Sequence, residues 1–150
     1  MHGTLICAVT DAEESEDAVA VGADLSQRLG LRLVLAHALD GIAALGTDGN
    51  ESVTMKQNRQ GAERRLRQLA EEYGVADTAE RRLAVGDPAA IFGRIAAEEA
   101  ADVIVVGARL RGWRRRSLES RLADELKTET PVPVLLAPPQ PRGRKGVSDE

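Results

Sequence analysis

The chain has 150 residues, 43% of them hydrophobic, 29% charged and 2% aromatic, with a net charge of −4. That length predicts one domain with a single core, built from Val, Leu, Ile and Ala for want of aromatic side chains. The acidic balance argues against nucleic acid as a principal partner. A lone cysteine excludes an internal disulfide, and no apolar run approaches the roughly 20 residues that a membrane-spanning helix needs.

Leu5 to Val9 is a continuous apolar run, so both of its faces are expected to be buried, as in an interior parallel strand. The residues before it carry neither a charged region nor a small-residue cleavage site, so no signal peptide is predicted and a cytoplasmic location is expected. Thr10 and Asp11 end the strand, and Asp11 with Glu14 has the spacing of a capping box for the helix that follows. Ala18, Val21, Gly22, Leu25 and Leu29 recur at helical spacing, and Gly30 supplies the stop. Leu33 to Leu39 is the second strand, joined to the first by a right-handed crossover.

Residues 40–52 hold three glycines and no period, which predicts a loop. A helix from about Lys56 to Tyr73 buries Ala62, Leu66, Leu69, Ala70 and Tyr73 and turns a charged face outward. Glu80 to Val85 is a third strand whose charges place it at a sheet edge. Asp87 and Pro88 announce a helix, with Asp as N-cap and Pro at the first helical position, and Ile91, Phe92, Ile95 and Ala96 form its buried stripe. Val103 to Val106, ending in Gly107, is a second interior strand. Leu118, Leu122, Ala123 and Leu126 mark the last helix, and Pro131 to Ala137 the last strand. Pro131 and Pro133 lie two apart, so one side of that strand lacks donors and must be an edge. Residues 1–138 thus form the domain and 139–150 a disordered tail. Five strands alternating with four helices predict one doubly wound α/β domain.

Several chemistries are excluded by what is missing. There is no GxGxxG, no GxxxxGK[ST] and no GxSxG, so dinucleotide, P-loop and nucleophile-elbow sites are unsupported. His2 and His37 are the only histidines, so no metal site is predicted. Cys7, mid-strand, reads as an inert buried thiol and His37 as structural. Asp11 carries two readings, helix cap and lining of the crevice at the strand ends, where open α/β sheets bind ligands. No enzymatic chemistry is expected.

Four segments in this order resemble the universal stress protein family: Leu5 to Asp11 followed by Glu13-Glu14-Ser15, Gly86-Asp87-Pro88-Ala89, Ala101 to Gly107, and Pro131 to Leu136. The resemblance implies a parallel sheet of order 3-2-1-4-5 with helices on both faces. It also implies a crevice lined by Thr10, Asp11 and Gly107, and a homodimer paired through the last strand, with Val132, Val134, Leu135 and Leu136 at the junction.

ATP-binding members of that family look like G-x2-G-x9-G-[ST] after the fourth strand, where glycines let main-chain N–H groups close on phosphate. Here the first position is Gly107, the second is Leu110, and the final pair falls on Ser120 and Arg121. One of four positions survives. Trp113 and Arg121 look more like the subclass that does not bind ATP. Against this, Arg109, Arg111, Arg114, Arg115, Arg116 and Arg121 crowd positive charge into one loop and helix entry, and arginine forks can hold phosphate without glycines. The same run also reads as a solvated basic face, offset by Glu119, Asp124 and Glu125. The expectation is a non-enzymatic stress-response homodimer, with no cofactor, no membrane or nucleic-acid partner and an open place for a protein partner. The alternative is an ATP or AMP binder that uses the arginines and a vestigial or atypical site of Thr10, Asp11, Gly107, Arg109, Ser120 and Arg121.

Overall fold

The computed structural model describes residues 3–10, 13, 15–39, 53–107 and 118–141. Along them run β1 (Thr4–Val9), α1 (Ser15–Leu29), β2 (Arg32–Leu39), α2 (Val53–Glu72), β3 (Glu80–Val85), α3 (Pro88–Glu98), β4 (Val103–Gly107), α4 (Leu118–Glu129) and β5 (Val134–Ala137). The strands form one parallel sheet of order β3-β2-β1-β4-β5. The predicted loop at 40–52, the arginine-rich stretch at 108–117 and residues 142–150 of the expected tail lie outside the described residues.

Side-chain alternation divides the core into two layers. Leu5, Cys7 and Val9 of β1 join Leu33, Leu35 and Val105 beneath Ala18, Val19 and Ala23 of α1 and Leu66, Leu69 and Ala70 of α2. Ile6, Ala8, Val34, Ala36, Ile104 and Val106 face the other way, against Phe92 and Ile95 of α3 and Leu122 and Leu126 of α4. This explains the unbroken apolar runs: a strand covered on both sides has no position for a polar residue to occupy. β1 is buried throughout, whereas every residue of β3 is exposed or half-buried. The charges of β3 therefore do mark an edge.

Three expectations need correction. Leu29 has helical spacing but is 63% exposed, because Gly30 takes φ 68 and turns the chain away. Of the expected stripe Ala18 and Gly22 are buried and Val21 and Leu25 half-buried against the same layer, and the small residues Val19, Ala23 and Ser26 complete the buried face. Gly22 allows this close approach, since a Cβ there would run into the Cys7 thiol. Second, β5 starts at Val134, so both prolines precede it; Pro133 contributes only its carbonyl, which accepts from the Ile104 amide at 3.0 Å. β5 is an edge strand through its place in the sheet. Third, α1 starts at Ser15, so Asp11, outside the described residues, stands four positions ahead of the helix rather than next to it.

Charge closes the amino-terminal end of the sheet. Arg32 reaches Glu80 at 2.7 Å and Glu99 at 2.9 Å, while Arg82 reaches both Glu98 and Glu99 at 2.6 Å. The network ties β2 and β3 to the end of α3, at the opposite end of the sheet from the loops considered next.

Candidate functional site: the crevice between β1 and β4

The two central strands part before they end. β1 pairs with β4 from Leu5–Val103 to Cys7–Val105, yet it stays paired with β2 as far as Val9–His37. On the other side β4 stays paired with β5 as far as Gly107–Ala137. The helix that follows β1, α1, packs on one face of the sheet, and the helix that follows β4, α4, packs on the other. This is the topological switch point of an open α/β sheet, where such folds bind ligands.

Thr10 and Gly107 stand at the two lips of this opening. The Thr10 amide donates to the Ser15 hydroxyl at 2.8 Å, and the two hydroxyls lie 3.2 Å apart. Ser15 is fully buried at the first residue of α1, so its side chain straps the strand end to the helix start. The sequence reading assigned capping to Asp11 and Glu14 and missed Ser15 in this role. A buried hydroxyl needs a partner, but only the fold shows that the partner is Thr10.

Asp17 was also missed. It is fully buried in the first turn of α1, where the helix N-terminus favours negative charge. Its carboxylate accepts the Gln140 amide at 2.9 Å. The chain leaving β5 is thereby moored beside the crevice, and residues 139–141, expected to begin the tail, are part of the described structure.

The remaining candidates distribute as follows. Arg121 is exposed on α4; Ser120 lies in the same helix. Asp11 and Arg109 lie outside the described residues. Val132 and Val134 are half-buried against the α3–α4 layer, while Leu135 and Leu136 are 39% and 43% exposed on β5. Asp87 caps α3 as expected, accepting the Ala90 amide at 3.2 Å. Cys7 is buried and its thiol donates to the Ala18 carbonyl at 3.3 Å. Burial pushes that thiol far above its ordinary range, which suits a packing residue and not a nucleophile. His37 is buried near the end of β2. Among the described residues no helix is long and apolar enough to cross a membrane.

The model of the universal stress protein family matches residues 1–138. The chain belongs to that family. No curated protein matches the sequence. Among solved structures, universal stress protein UspA from Lactobacillus plantarum superposes with a TM-score of 0.75 at 17% identity, covering 91% of this chain and 97% of that one. A universal stress protein family member from Burkholderia pseudomallei gives 0.68 at 22% identity, covering 92% and 97%. The universal stress protein from Archaeoglobus fulgidus, solved in complex with dAMP, gives 0.65 at 17% identity, covering 90% and 97%. At these identities the likeness establishes the universal stress protein fold.

Proposed function

We propose that this universal stress protein is non-enzymatic and acts in the stress response as a homodimer paired through β5. In this reading its crevice lacks the main-chain cradle that would seat ATP, and it needs no cofactor. The observation that carries the proposal lies in the sequence after β4, where the family's ATP motif is broken. Leu110 falls on the motif position of the second glycine and Arg121 on that of the hydroxyl residue. At the opposite lip, the Thr10 amide is already spent on Ser15. Pairing through β5 is supported by the exposure of Leu135 and Leu136 on an edge strand, whose outer main chain is a template for a second copy.

Calorimetric titration with ATP, ADP and AMP, run beside light scattering for mass, tests both parts. The expected result is a dimer that takes up no ATP at sub-millimolar nucleotide. Micromolar ATP affinity would overturn the first part, and a monomeric mass the second.

A second reading is favoured by the dAMP complex of the Archaeoglobus fulgidus relative. In it, the arginines at 109, 111, 114, 115 and 116 hold the phosphate of an adenine nucleotide such as ATP or AMP in place of glycines. Arg114→Glu with Arg115→Glu then abolishes AMP binding while the fold persists. Absence of binding by the unaltered protein ends this version.

A further inference from the structure

At the edge of the sheet farthest from β5, α2 and β3 enclose a groove of about 430 Å³ lined by Glu63, Leu66, Arg67, Arg81, Arg82 and Leu83. β2 and β1 lie between it and β4, so it is separate from the crevice. Its volume falls within the range of small-molecule sites. Leu66 is buried and forms part of the floor. Arg81 is in register with Leu35, whose side chain faces α1 and α2, so strand alternation turns Arg81 toward α2. Glu63 and Arg67 lie one helical turn apart on α2 and share a face.

The arginines of this groove differ in their partners. Arg82 is neutralised by Glu98 and Glu99. Elsewhere Arg28, Arg32 and Arg94 each have a carboxylate within 4.0 Å. Arg67 and Arg81 have none among the described residues. Two guanidinium groups with no carboxylate within 4.0 Å among the described residues, from two different elements and in a chain of net charge −4, line one concavity.

We propose that this groove is a second binding site, for a small molecule bearing a phosphate or carboxylate group, with Arg67 and Arg81 as its two anion contacts. A guanidinium presents a planar fork of N–H donors to either anion. Held from both sides, the anion would tie α2 to the edge strand. Glu63 lines the same space and repels a bare dianion, so the preferred ligand carries a hydroxyl next to its anionic group for Glu63 to accept from.

The test is amide chemical-shift mapping of the full chain at constant ionic strength, with inorganic phosphate, glycerol 3-phosphate and citrate as separate probes. The expected result is saturable shifts on residues of α2 and β3 with at least one hydroxyl-bearing probe, stronger than with inorganic phosphate. Which of those two probes binds more tightly separates phosphate from carboxylate ligands. Arg67→Ala with Arg81→Ala, both exposed positions, should weaken binding at least about tenfold without unfolding the chain. Glu63→Gln should tighten inorganic phosphate about threefold by removing a like charge. No saturable shift with any probe, unchanged binding by the double variant, or shifts confined to Thr10 and Gly107 would overturn the assignment. Because those last two residues report on the crevice, failure here and failure of the proposed function give different spectra.

Discussion

The contact between α1 and β1 depends on there being no side chain at Gly22. A Cβ at that position would fall inside the 3.0 Å that real Cβ atoms respect toward the Cys7 sulfur, and would lie 3.1 Å from Leu5 Cδ2. In an exposed helix, Gly→Ala gains about 1 kcal/mol from propensity. Here the sulfur cannot yield easily: Cys7 is fully buried in a central strand and its thiol is bonded to the Ala18 carbonyl. Overpacking of such a core costs about 1–3 kcal/mol, and the fixed sulfur argues for the upper end. Gly22→Ala is therefore expected to lose about 2 kcal/mol net. Cys7→Ala alone should cost about 1 kcal/mol, for one buried atom and a weak hydrogen bond. In the Cys7→Ala background the new methyl group keeps an ordinary contact with Leu33 at 3.7 Å and a tight one with Leu5, which can shift by a few tenths of an ångström, so Gly22→Ala becomes neutral or stabilising. The double-mutant cycle should then show a coupling of about 2–3 kcal/mol. Urea unfolding followed by circular dichroism, at one fixed protein concentration, measures all four corners. Equal cost of Gly22→Ala in both backgrounds would refute the reasoning.

Ala100 follows α3 with φ 54, and its amide and that of Ala101 bond back to the Ala97 and Ala96 carbonyls. This is a left-handed helix terminus that favours glycine, so Ala100→Gly should stabilise the fold by up to about 1 kcal/mol in the same urea assay. The hydrogen bonds from Arg32 and Arg82 hold the Glu99 carboxyl below its ordinary 4.5. A lowered folded value means the stability is complete above about that pH and is lost as pH falls through the folded value. Glu99→Gln should cost about 1 kcal/mol at neutral pH and flatten the acid limb of the stability curve, while an unchanged limb would show that Glu99 does not contribute to it. Leu135→Glu with Leu136→Lys should convert a β5-paired dimer to monomer by light scattering with the far-ultraviolet spectrum preserved, and a persistent dimer would place the interface elsewhere.

Much of the fold was legible because burial constrains composition one position at a time. A strand covered on both faces must be apolar throughout, which is why β1 and β4 read as interior, and an edge tolerates Glu80, Arg81 and Arg82. Asp87 and Pro88 mark a helix start because the N-cap bond and the donor-free first position are local chemistry, complete within four residues. The family was legible from segments of the same kind, since each reports on a strand end or turn. The candidate site was legible only in outline. Thr10 and Gly107 could be placed at strand ends from the sequence, but that these two ends flank one opening depends on the order of strands.

What the sequence determined by itself, then, is the set of elements, the two interior strands and which residues, Leu110 and Arg121, stand at the glycine and hydroxyl positions of the motif after β4. Tertiary structure alone decided that the buried face of α1 is lined by small residues and leaves Leu29 out, how the strand end is closed and where the chain goes after β5. Leu29 has the right spacing yet is exposed, because the approach of α1 to β1 selects small side chains and Gly30 ends the helix. Ser15 bonds to Thr10, and Asp17 bonds to Gln140 from 123 positions away. Periodicity records how a residue faces its own axis, whereas these partners are chosen by the packing of elements distant in the chain.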